Sequence, residues 1–189
     1  MLFYFHGLAS VGDSPRTDIL KKKLNMKVLS PTLPVDPDKV IDIVTNMMHK
    51  YHQTGEKMIM VGTSLGGFWA NYFAVKTASP VVLINPVIKP TITMQRKVGR
   101  YIKLFAKQTN SEDILNHSLE KFKILEDELN THNKTEVYLF LAKDDTILDY
   151  QETLTDIKYD KLFLEDIGGH RFEHHYEKIA DVINEISAK

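Results

Sequence analysis

MIMVGTSLGGFWA, residues 58–70, joins an apolar run to a segment with the composition of a helix, and it carries three of the nine glycines of the chain. A short continuous apolar run such as 58–61 is typical of a strand covered on both faces. The serine that follows lies between the glycines of a G-x-S-x-G pattern. Between a strand and a helix, this pattern holds the serine hydroxyl exposed on a strained turn. Ser64 is therefore our candidate nucleophile.

The glycines of this pattern give the turn its room. Gly62 and Gly66 lie two positions to either side of Ser64, where strand and helix pass too close for larger side chains. We expect Gly67 to let the helix pack tightly on the sheet. The turn also directs a helix N-terminus at the serine, which favours developing negative charge there. The Leu65 backbone N–H is therefore a candidate oxyanion-hole donor.

The chain contains six short apolar runs of this kind, separated in most places by segments with helical spacing. Two such segments are 15–24 and 38–51, the second preceded by a candidate cap, Asp36, with Pro37 at the first helical position. This alternation predicts an α/β fold with a doubly wound, six-stranded parallel sheet. The predicted strands are residues 2–5, 27–29, 58–61, 81–84, 137–141 and 161–164.

The length of 189 residues suits one well-buried α/β domain and is too short for two, so we expect a single domain over residues 1–189. The interval between the fourth and fifth predicted strands is much longer than a crossover requires. Helical spacing at 93–107 and at 111–129 fills this interval. We therefore expect a helical cap inserted at about residues 87–134.

Bulk composition excludes several classes of function. The formal net charge of −1 gives no overall attraction to nucleic acid or to acidic membranes. The chain has no cysteine, which excludes disulfides, thiolate chemistry and cysteine-bound metals. No apolar run approaches the roughly 18 residues of a membrane span, and the start of the chain lacks the basic region of a signal peptide. We expect a cytoplasmic protein that binds no nucleic acid and does not span a membrane.

A nucleophilic serine of this type needs an acid and a histidine base, which follow it along the chain in that order. Asp144 and Asp145 come directly after the fifth predicted strand, with Asp149 as a less favoured third candidate. His170 comes after the sixth strand and two glycines that permit a sharp loop. The carboxyl ends of parallel strands meet at one edge of the sheet. Only one carboxylate can accept the histidine Nδ1–H, and the residues alone do not separate Asp144 from Asp145.

The segment after the first strand, His6-Gly7-Leu8-Ala9-Ser10, supplies a second candidate oxyanion donor. Its glycine lets the backbone turn inward, so the Leu8 N–H can face the reacting carbonyl. We expect His6 to orient this loop rather than to take part in catalysis.

The remaining histidines are weaker candidates. His174 and His175 have the position of residues in the last helix, which is predicted to run to Ala188. A metal hydrolase built on His170, His174 and His175 is disfavoured because the H-E-x-x-H pattern is absent. Surface positions are expected for His49, His52, His117 and His132.

Five motifs together carry a resemblance to a known group of proteins. They are HGLAS at the start, GTSLGG in the middle, Asn85-Pro86 after the fourth strand, and DDTILDY and GGHRF towards the end. With them the chain resembles the α/β-hydrolase superfamily and, more narrowly, the small YqiA/YcfP-like esterases. The resemblance implies a minimal α/β-hydrolase fold with strand order 2-1-3-4-5-6, in which the first two strands of the full hydrolase sheet are missing.

The resemblance also implies a function and a set of site residues. Ser64 matches the nucleophile, His170 the base, and Leu8 and Leu65 the oxyanion positions. Asp145 matches the acid, because it is the first aspartate of a D-x-x-L-D-Y pattern. The implied activity is hydrolysis of carboxylic esters or acyl thioesters without a cofactor or a metal. One departure is the residue before Asp145, which is commonly glycine in relatives and is an aspartate here.

A run of basic residues bears on the substrate. Six Lys and Arg residues and no acidic residue occur between 86 and 111, among them Arg96 and Arg100. If this segment caps the site, Arg96 and Arg100 would attract a phosphate-bearing leaving group such as coenzyme A. The alternative is a solvated helix face that pairs with the acidic residues of 112–128. A peptidase or amidase, or a binding protein on a hydrolase fold, are the alternative functions.

Overall fold

The computed structural model of the protein describes residues 1–52, 55–96, 111–130 and 135–189. The six strands are β1 Leu2–Phe5, β2 Val28–Leu29, β3 Ile59–Thr63, β4 Val81–Ile84, β5 Val137–Ala142 and β6 Lys161–Glu165. The α-helices of the described residues are α1 Pro15–Lys23, α2 Pro37–His52, α3 Leu65–Thr77, α4 Pro90–Arg96, α5 Ser111–Asn130, α6 Tyr150–Asp156 and α7 Tyr176–Ser187. A 3₁₀ turn, Glu173–His175, precedes α7.

The strands form one parallel sheet in the order β2-β1-β3-β4-β5-β6. The predicted fold class and strand order are therefore confirmed. The four central strands, β1, β3, β4 and β5, are buried along their whole length, which is why their sequences are continuous apolar runs rather than alternating ones.

Alternate residues of each strand belong to two separate core layers. Met60 contributes to the layer that includes residues of helices α2 to α6, whereas Ile59 and Val61 contribute to the layer with α1 and α7. Helix α7 buries Ile179 and Ile183 in this second layer. Helices on both faces of a parallel sheet place all strand carboxyl ends at one edge, where loops can form a site.

The described part of the insertion between β4 and β5 is helical and packs on the first core layer. Phe122 of α5 lies with its ring centroid 5.3 Å from that of Phe68 and 5.4 Å from that of Trp69, both on α3. The helix predicted at 93–107 begins earlier, at Pro90, and residues 97–110 lie outside the described residues. No helix of the described residues is both long and apolar enough to cross a membrane.

One local prediction was wrong. His174 and His175 lie in the 3₁₀ turn before α7 and not in the last α-helix. The reason is Phe172, which buries its ring at a left-handed backbone conformation (φ 56°) and so starts a new turn before the helix. The sequence also gave no sign of helix α6, which is short and is capped by Asp149, whose Oδ1 accepts the Gln151 N–H at 2.8 Å.

Candidate active site

Ser64 lies on the turn between β3 and α3, with φ 57° and ψ −126°. A non-glycine residue in this region costs about 1–3 kcal/mol and persists only where its surroundings fix it. The Ser64 N–H donates to the Ile84 carbonyl at 3.1 Å, and the Ser64 carbonyl accepts from Gly67 and Val87 at 2.8 and 2.9 Å. Because the Ser64 hydroxyl does not cap α3, it is available to another partner.

The glycines around this turn are required by close approach of backbone to backbone. A Cβ on Gly66 would collide with the Phe5 carbonyl, and a Cβ on Gly62 would collide with the Gly66 carbonyl. A Cβ on Gly67 would lie 2.5 Å from the Pro86 Cβ. Larger side chains here would therefore force β3, α3 and the β1 and β4 ends apart.

Ser64, His170 and Asp145 meet at the carboxyl edge of the sheet. The Ser64 Oγ lies 3.0 Å from His170 Nε2, and His170 Nδ1 lies 2.8 Å from Asp145 Oδ2. The Asp145 side chain is 1% exposed and that of His170 is 22% exposed. An ionised Asp145 accepts the Nδ1–H, which leaves Nε2 as the acceptor for the serine hydroxyl. The arrangement can therefore move a proton from Ser64 to His170.

The structure separates the two adjacent aspartates. Asp145 Oδ1 accepts the backbone N–H groups of Ile147 and Leu148 at 2.7 and 3.1 Å, which fixes the carboxylate while Oδ2 faces His170. Asp144 points elsewhere: its Oδ1 accepts the N–H groups of Gly168 and Gly169. Asp145 is thus the carboxylate that contacts the histidine.

Asp144 holds the loop that carries the histidine. Its bonds to the Gly169 and Gly168 N–H groups are 2.7 and 2.9 Å long. These bonds, led by that of Gly169, keep the pKa of the Asp144 carboxyl below its ordinary value. The Asp144 carboxylate therefore anchors the backbone just before His170.

Asn85 is a positioning residue to which sequence reasoning assigned no role. Its backbone is in the left-handed region (φ 38°), and its side chain is buried. Asn85 Nδ2 donates to the carbonyls of Gly169 and His170 at 2.9 and 3.3 Å, while Oδ1 accepts the Ala142 N–H at 2.9 Å. The signal that could have found it is a polar residue before proline at the end of an apolar strand.

The loop after β1 lies against Ser64. A Cβ on Gly7 would be 3.1 Å from the Ser64 Cβ. The buried His6 accepts the Leu33 N–H at Nε2 (2.7 Å), so Nδ1 carries the proton and donates to the Gly7 carbonyl at 2.7 Å. Burial lowers the pKa of His6 and keeps the ring neutral. His6 thus orients this loop, and the oxyanion roles of Leu8 and Leu65 stay predictions.

A cleft of about 300 Å³ lies between α4 and α6, and its lining includes residues that contact two of the catalytic candidates, Ser64 and Asp145. Two of its lining residues bond to them directly: the Val87 N–H to the Ser64 carbonyl, and the Leu148 N–H to Asp145. Arg96 lines the cleft and pairs with Glu152 of α6 at 2.6 Å. Among the side chains that the structure describes, its partner is therefore on α6 rather than on α5. Arg100 lies outside the described residues.

A six-stranded parallel sheet in this order, with a G-x-S-x-G turn after β3, defines an α/β-hydrolase fold. The chain belongs to the family described as "Uncharacterised protein family (UPF0227)", whose model matches residues 1–188. It is 26% identical over 181 residues to a UPF0227 protein of Shewanella sp. (strain MR-7), and the alignment covers 91% of each chain. The resemblance that the motifs predicted is confirmed.

Solved structures agree on the fold. Est1E from Butyrivibrio proteoclasticus with ferulic acid bound superposes with a TM-score of 0.70 at 14% identity, covering 97% of this chain and 86% of that one. A monoacylglycerol lipase of Paleococcus ferrophilus superposes with a TM-score of 0.64 at 15% identity, covering 98% and 94%. At such identities the likeness establishes the fold alone, so the chemistry has to be argued from the site.

Proposed function

We propose that this protein is a serine hydrolase that cleaves carboxylic esters or acyl thioesters through an acyl-enzyme. The observation that carries the proposal is the pair of hydrogen bonds that joins Ser64 to His170 and His170 to Asp145. The name of one protein with this fold, the monoacylglycerol lipase of Paleococcus ferrophilus, supports an ester as the substrate class.

Acylation uses each of these residues once. His170 Nε2 takes the proton from the Ser64 Oγ as that oxygen attacks the substrate carbonyl carbon. The resulting oxyanion accepts the N–H groups of Leu8 and Leu65, each worth about 10²–10³ in kcat in comparable sites. The C–O or C–S bond then breaks, and His170 gives its proton to the departing alcohol or thiol. Asp145 stays ionised and stabilises the imidazolium throughout.

Deacylation repeats the same proton transfers with water. His170 takes a proton from a water molecule whose oxygen attacks the acyl carbon bound to Ser64. Leu8 and Leu65 stabilise the second oxyanion. The bond to the serine oxygen breaks, and the proton on His170 returns to Ser64 as the acid leaves. No redox step or additional group is required.

The cleft between α4 and α6 is the proposed substrate subsite. Its lining residues Val87 and Leu148 bond to Ser64 and Asp145 through their N–H groups, and its volume of about 300 Å³ suits a short acyl chain. The packing of Phe122 against Phe68 supports the proposal of one domain over residues 1–189 with an insertion at about 87–134, of which residues 97–110 and 131–134 lie outside the described residues.

The decisive experiment is mass spectrometry of the protein after reaction with a fluorophosphonate probe. We expect one adduct, on Ser64, because the probe reacts with a serine that a histidine deprotonates. Heat-unfolded protein and His170→Ala are the controls, and both should label far more slowly. Adducts spread over several serines, or none on the folded protein, would contradict the proposal and favour a binding role for the fold.

We also propose that the basic segment containing Arg96 and Arg100 attracts a phosphate-bearing leaving group of the substrate. Replacing Arg96 with glutamine is expected to lower kcat/KM for a short acyl-coenzyme A about threefold, and to leave a p-nitrophenyl ester of the same acyl group unchanged. The effect is small because Arg96 is exposed and paired with Glu152. Lys23→Gln is the matched control, because Lys23 forms an exposed ion pair with Glu177 between α1 and α7, on the opposite face of the sheet. An equal loss on both substrates would exclude leaving-group recognition by Arg96.

A further inference from the structure

Three buried hydroxyl groups form a closed hydrogen-bonded cluster that the proposed chemistry does not use. The Tyr4 hydroxyl lies 3.1 Å from the Thr63 Oγ1 and 2.9 Å from the Tyr176 hydroxyl, and the Thr63 Oγ1 lies 3.0 Å from the Tyr176 hydroxyl. Tyr4 and Tyr176 are 1% and 0% exposed, and Thr63 is 4% exposed. We call this set the Tyr–Thr–Tyr cluster.

Burying these three hydroxyl groups in a core costs free energy unless each of them is hydrogen-bonded. The layer between the sheet and helices α1 and α7 consists mainly of apolar side chains, and phenylalanine or valine would occupy the same volumes without needing partners. Each of the three hydroxyls can donate one hydrogen bond and accept one, so all three are satisfied only together. Burial raises the pKa of Tyr176 well above its ordinary value, so the phenol stays protonated as a donor.

The three residues come from the three chain segments that build the candidate site. Thr63 is the last residue of β3 and immediately precedes Ser64. Tyr4 lies on β1, which leads into His6 and the oxyanion loop. Tyr176 is the first residue of α7, directly after the loop and turn that follow His170.

We infer that the Tyr–Thr–Tyr cluster sets the distance and orientation of the nucleophile relative to the oxyanion loop and the histidine loop. Its members are positioning residues: they lie in the core layer below the site and do not contact the substrate. The inference rests on the proposed function, since it concerns how the same site is held. Asn85 and Asp144 fix the histidine loop to the ends of β4 and β5, whereas only this cluster, among the described residues, joins all three segments by side-chain hydroxyls.

Thr63 allows the test to separate hydrogen bonding from packing. Thr63→Val keeps the shape and removes the hydroxyl, whereas Thr63→Ser keeps the hydroxyl and removes a methyl group. We expect Thr63→Val to lower kcat about tenfold with KM within about twofold, because the reacting atoms shift while the cleft does not. Thr63→Ser should restore most of the wild-type kcat, although it loses packing.

Two tyrosine-to-phenylalanine variants, one inside the cluster and one outside it, supply a second, independent test. Tyr176→Phe is expected to lower kcat about tenfold, as for Thr63→Val. Tyr138→Phe is its matched control, because Tyr138 belongs to the same core layer but bonds through its hydroxyl to Glu136 and Lys189. It should leave kcat unchanged. All rates are measured per folded molecule, with the folded fraction taken from circular dichroism well below the melting temperature.

The rate constant for fluorophosphonate labelling of Ser64, measured on the same variants, distinguishes the failures. If wild type labels and Thr63→Val and Tyr176→Phe label at the wild-type rate while melting earlier, the cluster is only a stabilising element and the inference is wrong. The inference is also wrong if Thr63→Ser is slower than Thr63→Val. If folded wild type does not label at Ser64, the proposed function fails and the inference fails with it.

Discussion

Ser64→Ala is expected to lower kcat for ester hydrolysis by about 10⁴-fold or more. The expected loss is large because the oxygen that forms the covalent bond disappears, and His170 and Asp145 then act on nothing. Residual turnover should come only from water held near the oxyanion donors. The measurement is initial-rate kinetics on a series of p-nitrophenyl esters, with burst-phase analysis of wild type to detect the acyl-enzyme.

The control for this variant is a serine away from the candidate site. Ser118 on α5 is fully buried, and its Oγ has no hydrogen-bond partner within the described part of the chain. Ser118→Ala should keep wild-type kcat and gain a little stability, because it removes an unsatisfied hydroxyl. Both variants should keep the wild-type circular dichroism spectrum. Retention of wild-type turnover by Ser64→Ala would show that the site works without a serine nucleophile.

Much of this fold follows from local sequence alone, and the reason is physical. A parallel strand buried on both faces must be apolar at every position. Runs such as 81–84 can therefore be recognised as strands without knowing which strands they pair with. The glycines at 62 and 66 are visible for a related reason: the turn they flank admits no Cβ on either side. Constraints that act on each residue separately can be read from a sequence.

The choice between Asp144 and Asp145 could not be read in this way. Asp144 and Asp145 are the same residue type and lie one position apart on the same turn after β5, so what separates them is the direction of their side chains. That direction is fixed by different N–H donors in the folded chain: Leu148 donates to Asp145, and Gly169 donates to Asp144. The family resemblance favoured Asp145, and the structure gives the reason: Asp145 Oδ2 faces His170 Nδ1.

The roles of Asn85 and of the Tyr–Thr–Tyr cluster could not be predicted from the sequence for a similar reason. A tyrosine in an apolar run, such as Tyr4, fits a core position whether or not its hydroxyl has a partner. Only the folded chain shows that Tyr4, Thr63 and Tyr176, far apart in sequence, satisfy each other. Thr63 and Asn85 lie within sequence motifs, but their positioning roles depend on contacts between distant segments, which the motifs do not show.

Asp145→Asn is the second variant with a large expected effect, and its neighbour gives a matched comparison. The amide oxygen can still accept the N–H groups of Ile147 and Leu148, so the turn should survive. The amide nitrogen then faces His170 Nδ1 and donates to it, which places the ring proton on Nε2 and removes the acceptor for the Ser64 hydroxyl. We expect kcat to fall about 10³–10⁴-fold with little change in KM or in melting temperature.

Asp144→Asn makes the same chemical change one residue earlier. Its amide oxygen can still accept the N–H groups of Gly168 and Gly169, so the histidine loop keeps its anchor at the cost of one charge. We expect kcat to fall less than about tenfold. Kinetics of both variants across pH, with the folded fraction measured in parallel, decide the assignment. A large loss of kcat in Asp144→Asn together with near-normal kcat in Asp145→Asn would reverse the assignment. The carboxylate that orients His170 must be the one whose replacement by an amide abolishes turnover, because both its negative charge and its acceptor oxygen are required.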